Sequence, residues 1–258
     1  MCHRLRSARC HLLLPRAKKA CIVSNSCLAA DAAIEHVVCH DPERHVPHSR
    51  SFGMATIAPD GWNHNTHYHE RLLHAVPRPC RRALDVGCGL GSFARRLASI
   101  AEQVDAIDRE PTVVARAREL SSGIHNLRFV EADFRTWPVG SSYDFVSMIA
   151  TLHHLPFAEA LTRAMSVLQP GGVLAVLGLD RAPSLLEAAA RSAIAYPVSG
   201  YYRCIRQTSP VGAPTLDPSM TLDEIRRHAT EVLPGAIVRR HLLWRYSLLW
   251  VKRPTPPA

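Results

Sequence analysis

The segment ALDVGCGLGSFARRLA, Ala83 to Ala98, joins an apolar run to a helical pattern through an acid and three glycines in five residues. Gly87, Gly89 and Gly91 strip this turn of side chains, so its backbone can approach a ligand closely and offer amide N–H groups at a helix start. The same residues would also serve a tight strand-to-helix turn with no ligand, and Gly-x-Gly alone does not separate the two. VDAIDRE ends at Asp108, twenty-three residues after Asp85, where a carboxylate can accept hydrogen bonds from both hydroxyls of a ribose. LRFVEADFRTW ends its apolar run at Glu131. Just beyond it, Asp133 can accept from an adenine amino group and Phe134 offers a ring edge beside a base. Each acid by itself is explained as a solvated loop residue. Acids at successive strand ends are harder to explain that way.

Those positions presuppose strands that end side by side. Apolar runs at 82–86, 104–108, 127–131, 144–149 and 173–179 read as strands, alternating with helical patterns from Ser92 to Ala101, at 111–120 and at 157–168. Pro111 suits the first turn of its helix. This alternation defines an α/β fold with a mostly parallel sheet covered by helices on both faces. A short leading helix is expected within DGWNHNTHYHERLLHAV, before Pro77. After a helix near 183–195, residues 196–220 carry four prolines within YPVSGYYRCIRQTSPVGAPTLDPSM and read as a long irregular insertion. Thr221 and Glu224 are spaced as a capping box. The last two strands, about 236–243 and 246–252, are too close for a parallel crossover and must form an antiparallel hairpin.

Taken together, residues 60–252 resemble the class I S-adenosylmethionine-dependent methyltransferases. LDVGCGLG is similar to their glycine loop, Asp108 to their ribose-binding acid, EADF to the adenine-side loop, YDFVSMIATLHHL to the fourth strand and its exit, and VLQPGGVLAVL to the turn into the fifth. The resemblance implies a Rossmann-like, seven-stranded sheet in the order 3-2-1-4-5-7-6 with the seventh strand antiparallel, and S-adenosyl-L-methionine as cofactor. It also implies a cofactor site drawn from Asp85, Gly87, Cys88, Gly89, Gly91, Asp108, Arg109, Asp133, Phe134 and Ala150. The third glycine comes one residue too early for the Gly-x-Gly-x-x-Gly of nicotinamide dehydrogenases, which argues against NAD.

The implied reaction is attack of an acceptor nucleophile on the methyl of a sulfonium, so alignment and exclusion of water are the protein's main tasks and a catalytic residue is not required. His153 or His154, after the fourth strand, could take a proton from a hydroxyl or amine, or could simply line the cofactor site. Tyr68, with Trp62, Asn63 and His69, either covers the methionine end of the cofactor or packs the leading helix on the sheet. Cys88 is a small filler between glycines, although a strand-to-helix turn can lower a thiol pKa. Trp244, Tyr246 and Trp250 read as sheet-face packing. The fourth strand lacks the Asn/Asp-Pro-Pro-aromatic exit of relatives that methylate nucleobase nitrogens, and the double-Glu hairpin of arginine methyltransferases is missing. A small-molecule acceptor is therefore expected, with selectivity in the leading helix and the insertion, where Tyr201, Tyr202 and Arg203 either meet it or lie on the surface. The alternatives are an RNA or protein methyltransferase, or a non-catalytic module that binds the cofactor.

Composition sets the remaining expectations. The net charge of +9 is spread out, with eight Lys/Arg against four Asp/Glu before Met54 and twenty-three against eighteen after it. No basic run is interleaved with aromatics, which argues against a nucleic-acid groove. Of eight cysteines, five precede the domain, with no CxxC pair or zinc-type spacing, so reduced thiols and no metal are expected. No stretch approaches the length of a membrane span, HLLLPRAKK is too short for a secretory core, and a cytoplasmic protein is expected. Residues 1–53 lack periodicity and are expected to be a disordered leader or a start-site artefact, with Met54 opening a methyltransferase domain over 54–258. No pattern specifies an oligomeric state.

Overall fold

The structure is a computed structural model that describes residues 61–139, 142–206 and 217–254. The expected leader and the Met54 start lie outside these residues, as do positions 207–216 of the expected insertion. Seven strands form one sheet: β1 (Arg82–Val86), β2 (Gln103–Asp108), β3 (Leu127–Glu131), β4 (Tyr143–Ile149), β5 (Leu168–Leu179), β6 (Ile237–Arg240) and β7 (Arg245–Val251). Their order is β3-β2-β1-β4-β5-β7-β6, as expected. β1 to β5 pair in parallel, while β7 runs antiparallel to both β5 and β6.

The helices are α1 (His69–Leu73), α2 (Ser92–Leu97), α3 (Pro111–Leu120), α4 (Phe157–Val167), α5 (Leu185–Ile205) and α6 (Leu222–Val232). The side-chain alternation of strands divides the core into two layers. On one face Ala83, Val173, Ala175 and Leu177 meet Leu72, Phe93, Leu97, Val114 and Ala195 from α1, α2, α3 and α5. On the other, Leu84, Val146, Met148, Leu174 and Val176 meet Leu161 of α4 and Leu222, Ile225 and Ala229 of α6. The expected box caps α6: Glu224 accepts from Thr221 N at 2.7 Å and Thr221 Oγ1 accepts from Glu224 N.

Several boundaries differ from the sequence reading, among them the helix expected from Ser92 to Ala101, which ends at Leu97, and the strand expected over about 236–243, which covers Ile237–Arg240. The leading helix shrinks to a 3-10 turn, Thr66–Tyr68, followed by α1, because Asn63 Oδ1 accepts from the amides of Asn65 and Thr66 (2.8 and 2.9 Å) and fixes a turn ahead of it. β5 begins at Leu168, before the two glycines of LQPGG. The largest correction concerns the expected insertion: from 196 to 205 it is helix, not irregular chain, since α5 continues through Pro197 to Ile205. Proline within a helix costs about 3 kcal/mol, and tertiary contacts offset it. Ala195 and Ser199 are buried, Tyr202 stacks on Trp62 with ring centres 5.1 Å apart, and Arg191 pairs with the buried Asp180 just past β5 at 2.8 Å.

Candidate active site

The loop between β1 and α2 lies at the carboxyl end of β1, flanked by β2 and β4. Gly87 and Cys88 both donate to the Ile107 carbonyl, at 2.8 and 3.0 Å, and Gly89 donates to Asp108 Oδ2 at 3.0 Å. The tip of β2 thus takes the amides of Gly87, Cys88 and Gly89, and the Cys88 carbonyl takes that of Gly91 at 2.9 Å. Each glycine adopts a left-handed conformation, for its own reason. A Cβ on Gly87 would fall 2.3 Å from Thr151 Oγ1, and one on Gly91 would fall 2.5 Å from the Phe129 ring. A Cβ on Gly89 would meet no atom within 4 Å.

Around this loop the sequence-expected residues fall into two groups. Asp85, Asp108, Arg109 and Ala150 stand with it at the strand tips. Asp85 is buried, and its Oδ1 accepts from Ser147 Oγ at 2.7 Å. Burial raises its pKa to about 7, with the charge of Asp108 adding to the rise and the Ser147 bond opposing it. Asp108 also accepts from the Glu110 amide at 3.1 Å, and the exposed Arg109 follows it. Ala150 takes a φ of 53°, unusual for a residue with a Cβ, and turns the chain so that Thr151 Oγ1 donates to the Gly87 carbonyl at 3.3 Å. The Cys88 thiol is pushed above its ordinary range by burial and then by Asp85 and Asp108. That is the opposite of the lowering a strand-to-helix turn can produce.

The second group lies at the outer end of β3. Asp133 caps a 3-10 turn, Phe134–Thr136, and is bound by Arg135 through the amide at 2.8 Å and the guanidinium at 2.5 Å. Those bonds hold its carboxyl below the usual range, with Arg109 contributing last. Phe134 is buried in the core with Ile107 and Trp137, so its ring is floor and not an exposed edge.

The histidines after β4 occupy a 3-10 turn, Leu152–His154, their ring centres 4.1 Å apart. Burial lowers His153 to about 4, with His154 and Arg245 adding, and His154 is lowered by burial and by Arg109. Nδ1 of His153 is buried without a hydrogen-bond partner. Tyr68 packs: its ring is buried and its hydroxyl donates to the Leu242 carbonyl at 2.8 Å. The same segment is fastened by His64 to Ser199 Oγ at 3.0 Å and by Asn65 Oδ1, which accepts from Arg245 Nε at 3.0 Å. Tyr202 belongs to this cover, whereas Tyr201 and Arg203 are exposed. Sequence reasoning missed Arg245. Its signal is an arginine opening the otherwise uncharged strand RYSLLWV.

An open α/β sheet with a glycine turn after its first strand and an acid at the tip of its second is the arrangement that nucleotide-cofactor folds share. Residues 83–172 match the family described as "Methyltransferase domain". The chain is 34% identical to a protein of Mycobacterium tuberculosis named "Uncharacterized methyltransferase", over 197 residues, 73% of this chain and 96% of the relative. It is 37% identical over 118 residues to a ubiquinone biosynthesis O-methyltransferase of Xanthomonas campestris, covering 42% of this chain and 47% of that one. Its fold is shared with the N-methyltransferase NodS of Bradyrhizobium japonicum in complex with S-adenosyl-L-homocysteine (TM-score 0.51, 16% identity, 73% of this chain and 87% of that one). It is also shared with an S-adenosylmethionine-dependent methyltransferase of Methanosarcina mazei (TM-score 0.52, 19% identity, 71% and 98%). The chain belongs to the class I S-adenosylmethionine-dependent methyltransferases.

The residues present fit that cofactor. A Cβ at Gly89 would project into space no protein atom fills, and Asp108, the acceptor-only group a ribose diol requires, is fixed beside it.

Proposed function

We propose that this methyltransferase acts on a small-molecule acceptor, with the cofactor held across the tips of β1, β2 and β4. When bound, S-adenosylmethionine supplies a methyl group on a sulfonium that is its own leaving group. Asp108 would accept from the ribose hydroxyls, and the bare face of Gly89, kept open by Gly87 and Gly91, would lie against the adenosyl chain. Asp133 borders the adenine end with Phe134 in the floor beneath and Arg109 alongside; Asp85, Cys88 and Ala150 shape the methionine end. In this reading Cys88 is a spacer, since its raised pKa keeps the thiol neutral.

The observation that carries the small-acceptor reading is the cover over the rim beyond β4. The stacked Trp62 and Tyr202, and the His64 to Ser199 bond, close the leading segment onto α5, which suits a compact acceptor better than a polymer. The ubiquinone-pathway relative is consistent with this. His153, lowered to about 4, accepts a proton weakly at neutral pH, and burial moves His154 in the same direction. Alignment therefore does most of the work. Incubating the protein and methyl-labelled cofactor with cell extract, then fractionating by size and by nuclease and protease sensitivity, tests the reading. Label in a small, nuclease- and protease-resistant fraction is expected; label in RNA or protein would replace it, and tight cofactor binding with no labelled product would favour a binding module.

We expect the domain to occupy 54–258. No helix of the described residues is long and apolar enough to cross a membrane.

A further inference from the structure

Arg245 opens β7 opposite Leu179, the last residue of β5, so it stands on the strand-tip rim although its own strand runs the other way. It shares the sheet face of Leu249 and Val251, beneath the leading segment and α5. The residue is only 6% exposed. Its Nε donates to Asn65 Oδ1 at 3.0 Å and Nη1 to the Leu243 carbonyl at 3.2 Å, both neutral acceptors. Among the described residues it has no carboxylate partner, and Nη2 has no acceptor at all.

A buried guanidinium without a counter-charge is costly, and two bonds to neutral oxygens could have been made by an uncharged amide. The neighbouring groups do not compensate it. His64 and His153, which sense its charge, are lowered to about 4, first by burial, and are neutral near pH 7. Tyr68, nearby, is raised by burial and keeps its proton. His64 also lies against the rings of Trp62 and Trp244, at 5.6 and 5.8 Å between centres, which makes the surroundings of the charge aromatic and apolar.

We propose that Arg245 is an acceptor-recognition residue whose guanidinium seats a carboxylate carried by the methyl acceptor. A planar fork with free N–H groups on Nη1 and Nη2 matches a carboxylate in two-point contact, a geometry lysine does not reproduce. The aromatic rings beside it suit an apolar body on that acid. The inference rests on the methyltransferase reading for its location: β4, with His153 at its exit, and β5 stand between the glycine loop and Arg245, so the anion and the cofactor occupy different ends of one rim.

The test is calorimetric titration of the full chain, saturated with S-adenosylhomocysteine, with acetate, benzoate and octanoate, each against its primary amide and against inorganic phosphate. At least one carboxylate should bind ten or more times tighter than its amide, and Arg245→Gln should abolish that preference while S-adenosylhomocysteine affinity stays within twofold. Arg245→Lys should restore less than a tenth of the wild-type carboxylate affinity. Equal binding of acid and amide, binding of phosphate alone, binding of no probe, or full retention in Arg245→Gln overturns the proposal. The acid-to-amide comparison needs only wild-type protein, so poor folding of a variant does not blunt it. Failure to bind S-adenosylhomocysteine would count against the cofactor site instead.

Discussion

The Gly89 amide donates to Oδ2 of Asp108 across 3.0 Å, which makes the glycine loop and the tip of the neighbouring strand a single unit. Removing that carboxylate should therefore act twice, by losing its bonds to a ribose and by releasing the loop. Asp108→Ala is expected to weaken S-adenosylhomocysteine binding by about 1–3 kcal/mol with the fold retained. Calorimetry and circular dichroism check both parts, and unchanged affinity would remove Asp108 from the site.

The glycines separate structural from ligand demands. Gly87→Ala must place a methyl 2.3 Å from Thr151 Oγ1 as well as hold a left-handed backbone, so its melting temperature should fall sharply. Gly89→Ala bears only the backbone strain, about 1–2 kcal/mol, and should melt closer to wild type while losing at least tenfold in cofactor affinity. If the two variants lose stability and affinity in the same ratio, the distinction is wrong.

Asp85 gives a pH signature. Its folded pKa, about 7, lies above the ordinary 3.8, so the protonated acid is the form the fold prefers. Its contribution is complete below about pH 4 and is lost as pH rises through 7. Asp85→Asn, which can still accept from Ser147, should stabilise the protein above pH 7 by up to about 4 kcal/mol and have little effect at pH 4. Thermal melts at pH 5 and pH 8 measure the difference, and an equal effect at both would contradict it.

His69 predicts the opposite slope. It is buried with an unpartnered Nδ1 against Phe93, and burial followed by the charge of Arg96 lowers its pKa from 6.5 to about 3. Stability from its neutral form is present above pH 6.5 and is lost as pH falls toward 3. His69→Phe should flatten the acid limb of the stability curve by up to about 4 kcal/mol. Denaturant titrations between pH 4 and pH 7 would show an unaltered slope if the histidine were solvated.

Thiol chemistry offers a further check. Burial raises Cys80 to about 12 and carries Cys88 above its ordinary range, whereas Cys204 is exposed. Iodoacetamide at pH 7.5 should alkylate Cys204 and spare Cys80 and Cys88, as read by peptide mass spectrometry. Rapid labelling of Cys88 would reopen a nucleophilic role for it.

The succession of strands and helices and the closing hairpin were legible because each rests on a short-range signal: alternating periods, and a connection too short to cross over; the order of the strands across the sheet came only from the family resemblance. Asp85, Asp108 and the three glycines were legible for the same reason, as local chemistry at strand ends. What escaped was set by distant partners. Nothing near Pro197 in the sequence announces that Tyr202 will stack on Trp62, so a proline-bearing segment was read as irregular where tertiary packing keeps it helical. Likewise the amides of Gly87, Cys88 and Gly89 go to Ile107 and Asp108, which only the register of β1 against β2 decides.

The reversed direction of β7 bears on how such a domain diversifies. Every parallel strand delivers its last residue to the working edge, but β7 delivers its first, immediately after the bend that links it to β6. Changes of length or sequence in His241 to Trp244 would therefore re-aim Arg245 and the rings around it without moving Asp85, Gly89 or Asp108. Substrate preference can drift at one end of the rim while the grip on the methyl donor is inherited unaltered.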